Sequence, residues 1–175
     1  MTWWRAHTQQ GVSYTIDHLH PMSFNYSAPE NPHGQKLDYN IRATFSHHCF
    51  TRTPGQNEVI QPDGWYRYQQ DLRAFCNDRY SASLGLPAII GAIHTKRIFH
   101  SGQGNFAIVD TADAPFASYA VYFYLNLDRS GNHDLHLRIQ SAYPRNDSPS
   151  RRLRKIRFQV LANNTYYGIP IRQPP

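Results

Sequence analysis

Cysteine is nearly absent from this 175-residue chain: Cys49 and Cys76 are the only two, and neither belongs to a Cys-x-x-Cys pair. That excludes a disulfide framework and makes reduced thiols in a cytoplasmic protein the expectation. The N-terminus lacks a basic start followed by an apolar core, so no secretory signal is read. No apolar run approaches the ~20 residues of a membrane-spanning helix, so no membrane partner is expected. Also missing are a phosphate-binding P-loop, a dinucleotide fingerprint and a paired-carboxylate motif. Gly102-Gln-Gly104 is half a fingerprint at best and opens no helix. Neither an internal repeat nor a domain linker interrupts the chain, which reads as one domain long enough to bury a core. Acidic residues are scarce in one place only. Residues 135–175 hold eight Lys/Arg and a single acid, Asp147, whereas residues 1–134 hold ten basic and eleven acidic residues. The net charge of +6 therefore comes from the last quarter, as expected of a surface that meets a polyanion or an acidic protein.

Aromatic residues are plentiful, with twelve tyrosines, and favour strands over a helical bundle. The clearest element is a β-hairpin over residues 119–143, two strand-forming runs around the polar turn Asp128-Arg-Ser-Gly-Asn132. In its second run Leu135, Leu137 and Ile139 alternate with His136, Arg138 and Gln140, giving one buried and one polar face. Earlier, residues 12–20 alternate with Tyr14 and Ile16 on one side. After a Pro/Asn/Gly-rich connection, a stronger strand turns Leu37, Tyr39, Ile41, Ala43 and Phe45 one way, making a looser N-terminal hairpin over 12–50. Continued alternation would put His47 on the buried side and His48 on the polar one. Tyr68, Leu72, Phe75, Cys76 and Arg79 recur at helical spacing, and Pro87 suits the first turn of a short helix, so 66–93 reads as helical. Strands resume near 97–99 and 106–109 and extend to 161, the last one turning Ile156, Phe158 and Val160 inward. The expected fold is a single α+β domain: a mostly antiparallel sheet with helices from the middle of the chain packed on it.

Three groups of side chains invite chemistry. The first is basic: Arg138, then Arg145, Arg151, Arg152, Arg154, Lys155 and Arg157, whose guanidinium forks suit phosphate oxygens, with Tyr143 placed to stack on a base. The same surface also reads as a solvated basic loop or a seat for an acidic protein. The second is the set His94, Lys96 and His100. Metal-free RNA cleavage needs a base for the 2′-hydroxyl, an acid for the leaving oxygen and a cation for the phosphorane, roles that His with Lys or Arg fills near neutral pH. The third is His47-His48-Cys49 with Cys76, residue types that zinc accepts. Neighbours on a strand point to opposite faces, however, so only His47 and Cys49, or His48 alone, could converge. Cys76 sits on an apolar stripe, where a buried free thiol is usual. His18 and His20 share a strand face, but nothing else supports chelation there. No activating constellation marks Cys49 as a nucleophile.

The segment Leu137-Arg-Ile-Gln-Ser-Ala-Tyr-Pro144 resembles the late core strand of the barnase–EndoU–colicin–RelE-like (BECR) ribonuclease and toxin superfamily. The order of helices followed by antiparallel strands with a basic end is similar too. The resemblance implies that Ser141 and Tyr143 line an RNA site, with Arg138 on the opposite alternation. His94, Lys96 and His100 are recruited by chain order, and the N-terminal hairpin is extra to that fold. The leading expectation is a metal-independent endoribonuclease of toxin or mobile-element type, without a cofactor, with RNA as substrate and an acidic antitoxin or immunity protein as partner. The alternatives are a non-enzymatic nucleic-acid-binding accessory protein and a protein-interaction module for an acidic partner.

Overall fold

Period-two patterning wins over helical spacing through most of this chain. A computed structural model describes residues 4–29, 38–100, 106–110, 116, 118–146 and 154–171. Most of the Pro/Asn/Gly-rich connection, Ser101 to Gly104, Arg151 and Arg152 lie outside the described residues. The chain opens with a hairpin of β1 (His7–Gln9) and β2 (Val12–Tyr14), turned at Gln10 and Gly11 with φ of 51° and 76°. A 3₁₀ turn, Asp17–Leu19, leads to β3 (Met22–Ser27), antiparallel to β4 (Asp38–Phe45). The partner of β4 is thus Met22–Ser27 and not residues 12–20. Pro21 restarts the chain there, and Met22, Phe24 and Tyr26 supply the alternation.

A second 3₁₀ turn, His47–Cys49, ends β4 and leads to β5 (Thr51–Arg52). The expected helix over 66–75 is instead a hairpin, β6 (Trp65–Tyr68) and β7 (Asp71–Phe75), with β5 on its other side. Gln69 takes the left-handed turn (φ 54°), and Trp65, Tyr66, Tyr68 and Phe75 are strand formers. Helices follow only at α1 (Asn77–Ser83) and α2 (Leu86–Gly91), with Pro87 in the first turn of the latter. An antiparallel meander then runs through β8 (Ile98–His100), β9 (Phe106–Asp110), β10 (Ser118–Leu127) and β11 (Leu135–Arg145). The expected last strand is cut to β12 (Lys155–Ile156), and α3 (Phe158–Tyr166) replaces its continuation. Phe158, Leu161 and Ala162, at i, i+3 and i+4, are buried, while Val160 is exposed.

The main sheet has the order β12-β8-β9-β10-β11-β4-β3 and is antiparallel except at β11–β4, which is parallel. The fold is α+β. Tyr39, Ile41, Ala43 and Phe45 of β4 share a dry face with Leu135, Leu137 and Ile139 of β11. Among the described residues, no helix is long and apolar enough to cross a membrane.

Candidate functional site

Among the described residues, two places that gather polar side chains bear on function. The first is a cleft of about 760 Å³. Its walls come from both edges of the main sheet, Tyr26 and Ser27 on β3 and Lys155 and Ile156 on β12, so the sheet is curled enough for its edge strands to share a cavity. His94 and Lys96 arrive on the 3₁₀ turn Ile93–Thr95 and the residue after it, and Arg157 is the residue preceding α3. Arg97 completes the rim, and no carboxylate lines the cleft among the described residues. Buried Tyr26 and Phe158, ring centroids 4.9 Å apart, form an apolar floor, and the His94 ring lies 5.6 Å from Tyr26.

The cleft therefore joins four expected residues, His94, Lys96, Lys155 and Arg157, and leaves the other described ones elsewhere. His100 is buried on β8 with its ring 5.2 Å from Phe106, and burial lowers its pKa. It does not line the cleft beside His94. Arg154 is exposed next to β12, its carbonyl accepting from the His100 backbone N–H at 3.1 Å.

Arg138, Ser141, Tyr143 and Arg145 lie along β11 and share a face, contrary to simple alternation. Tyr124 opposes Arg138 and Tyr122 opposes Ser141, while Phe123 opposes Ile139; Gln140 is the extra residue of a β-bulge. The bulge resets parity, so Ser141, Tyr143 and Arg145 join the face of Arg138. Tyr143 stacks on Tyr122 at 5.7 Å, the Arg79 guanidinium sits 4.7 Å from the Tyr143 ring centroid, and Arg145 donates to the Tyr122 hydroxyl at 3.3 Å. Burial and the Tyr122 hydroxyl raise the Tyr143 pKa, so it is a neutral phenol at physiological pH.

The second place is a cavity of about 430 Å³ lined in part by His47, His48, Arg42, Arg138 and Tyr68. His47 Nε2 lies 2.8 Å from Asp71 Oδ2, and His48 Nε2 lies 3.4 Å from the same oxygen. The 3₁₀ turn makes this possible, because consecutive side chains on a tight turn need not diverge as they do on a strand. The turn is held by the Ser46 hydroxyl accepting from the His48 N–H (3.2 Å), by Thr51 Oγ1 donating to the His47 carbonyl (2.8 Å) and by Arg79 donating to the His48 carbonyl (3.0 Å). Burial lowers both imidazole pKa values. Asp71 opposes the shift, and nearby Arg73 adds to it. The hydrogen bond from His47 in turn holds the Asp71 carboxyl below its usual range. Two neutral imidazoles thus face one carboxylate.

The cysteines considered beside these histidines are not part of the group. Cys49 is fully buried, and Cys76 precedes α1. His18 and His20 do not converge either: His18 Nε2 is 2.8 Å from Ser83 Oγ, and His20 faces Asp17 at 3.5 Å. Asp71 was the residue that sequence reasoning missed, since nothing in the run Gln-Gln-Asp-Leu marks it out before β7 is placed beside the 3₁₀ turn.

Fold and sites together define an α+β protein with a cationic cleft between its sheet edges and a separate histidine–carboxylate cluster. The chain belongs to the YjaZ family, whose sequence model matches residues 6–166, a span that includes the lining of the cleft and His47, His48 and Asp71. No curated protein and no solved structure matches it.

Proposed function

We propose that this protein binds single-stranded RNA through the edge cleft. One observation carries the reading: Lys96, Arg97, Lys155, Arg157 and His94 converge from separate segments on one cavity that no described carboxylate lines. Such a cavity favours a polyanion, and phosphate contacts of this kind supply most non-specific affinity for nucleic acid. The face carrying Arg138, Tyr122 and Tyr124 provides further cationic and aromatic surface along β10 and β11. Endoribonuclease activity without a metal is the second reading. It is favoured by His94, an acid–base group set among cations that would stabilise a phosphorane.

The test is fluorescence anisotropy of a labelled oligoribonucleotide across a salt series, with cleavage followed on a gel. Binding is expected to weaken steeply with salt, and Lys155→Ala with Arg157→Ala to flatten the log–log slope by roughly 0.7 per side chain. Wild-type binding by that double variant, or capture of an acidic polypeptide in place of RNA, would refute the binding reading. Cleavage that persists in EDTA and falls about a hundredfold in His94→Ala supports the second reading; turnover unchanged in His94→Ala removes it.

A further inference from the structure

His47, His48 and Asp71 have no part in RNA binding at the cleft. We propose that these three side chains form a binding site for one divalent transition-metal ion of the zinc class, with the next coordination position facing the cavity that Arg42 and Arg138 line. The inference does not rest on the RNA reading.

The ligand types are the first support, because two imidazoles and one carboxylate are a set zinc accepts, and three protein ligands leave an open position. Geometry is the second. Donor atoms about 2.0–2.1 Å from a tetrahedral ion lie about 3.3 Å from one another. The two histidine–carboxylate separations are 2.8 and 3.4 Å, and all three ligand atoms lie within 4.8 Å of one another. An ion fits after the histidine–carboxylate separations shift by about half an ångström and the two imidazoles close by up to about 1.5 Å. Among the described residues this is the one such group of three.

Preorganisation is the third support. The ligands stand on a hydrogen-bonded 3₁₀ turn and at the start of a paired strand, and the Trp4 and Tyr68 rings lie 6.0 and 5.1 Å from the His47 ring. Held this way, the cluster loses little conformational freedom on binding. The cavity wall is the last support. Arg42 and Arg138 line the same cavity as His47 and His48, so an anionic ligand entering it would meet guanidinium groups as well as the ion. A histidine–carboxylate hydrogen bond serving only to brace the turn is the competing account, and metal binding separates the two.

Full-length protein would be stripped with chelator and titrated with Zn²⁺ alone by calorimetry. Co²⁺ is then added separately to read the visible absorption of a tetrahedral complex. One ion per chain with a dissociation constant below about 10 μM is expected. Asp71→Asn and His48→Gln are each expected to weaken binding at least tenfold, while Cys76→Ser binds as the wild type does. Asp71 is exposed, so Asp71→Asn keeps the fold and decides the question if His48→Gln does not. Wild-type binding weaker than about 10 μM, or undiminished binding by Asp71→Asn, overturns the site.

Discussion

Cys49 and Cys76 show how differently two thiols in one chain can behave. Cys49 is fully buried on the turn after β4, and burial pushes its thiol up to about 12, opposed only in part by the Ser46 backbone and the Arg79 charge. Cys76 is only half-buried. Iodoacetamide near pH 8 is therefore expected to label Cys76 and spare Cys49 until denaturant is added, as peptide mass spectrometry would show. Equal labelling of both in native protein would contradict the burial. At the same scale, the histidines divide by environment more than by spacing. His94 stands exposed in a cleft, His100 is shut inside the sheet, and His133 and His136 bond Ser23 and Thr44 at 2.8 Å each. Their residue type was visible from the outset; which of them met a partner or solvent was not.

The β-bulge at Gln140 decides what β11 presents. Without it, strict alternation would turn Ala142 outward and drive Tyr143 toward the packed face, since a one-residue shift reverses every later side chain. Deleting Gln140 lets Ser141 follow Ile139 in plain alternation, so Ala142 stays inward and Tyr143 outward, and the expected loss of stability is about 1 kcal/mol. Gln140→Ala, which keeps the extra residue and whose side chain is exposed, should stay within about 0.5 kcal/mol of wild type. Urea unfolding of the two variants measures both, and a deletion that costs several kcal/mol would show that the ladder needs the extra residue itself. Elements were otherwise legible wherever one pattern dominated, as in β4 and β10–β11. They were misread where two patterns overlapped. Tyr68, Leu72, Phe75 and Arg79 match helical spacing, yet cross-strand pairing of Trp65 with Ala74 and Tyr68 with Asp71 prevails. Phe158 and Val160 match strand spacing, yet Leu161 and Ala162 complete a buried helical stripe.

Across the molecule, burial lowers the pKa of His7, His18, His47, His48, His100 and His136 from the ordinary value of 6.5. The unfolded chain therefore takes up protons at these sites before the folded one does. This contribution to stability is fully present above 6.5 and is lost as pH falls through the lowered folded values. Asp71 and Asp128, whose carboxyls are held below 3.8 by hydrogen bonds, add a loss of the same sign only at still lower pH. The urea midpoint should accordingly drop between pH 7.5 and 5.5. A midpoint that is flat or rises over that interval would show that these imidazoles titrate alike in both states. Charge has a molecular scale too, because Lys155 and Arg157 share a cavity with the turn that carries His94 only where the curled sheet brings its edges together.

By itself the sequence determined the α+β class, the apolar faces of β4 and β11, and the placement of positive charge near the C-terminus. Those follow from local periodicity and composition, which are written residue by residue. Tertiary structure alone decided which distant groups met. His47, His48 and Asp71 converge because a 3₁₀ turn interrupts alternation and the β6–β7 hairpin returns beside it. The cationic cleft forms because the first and last strands of the main sheet share one cavity. Contacts between residues far apart in the chain depend on curvature, turns and a bulge, and no local period encodes those.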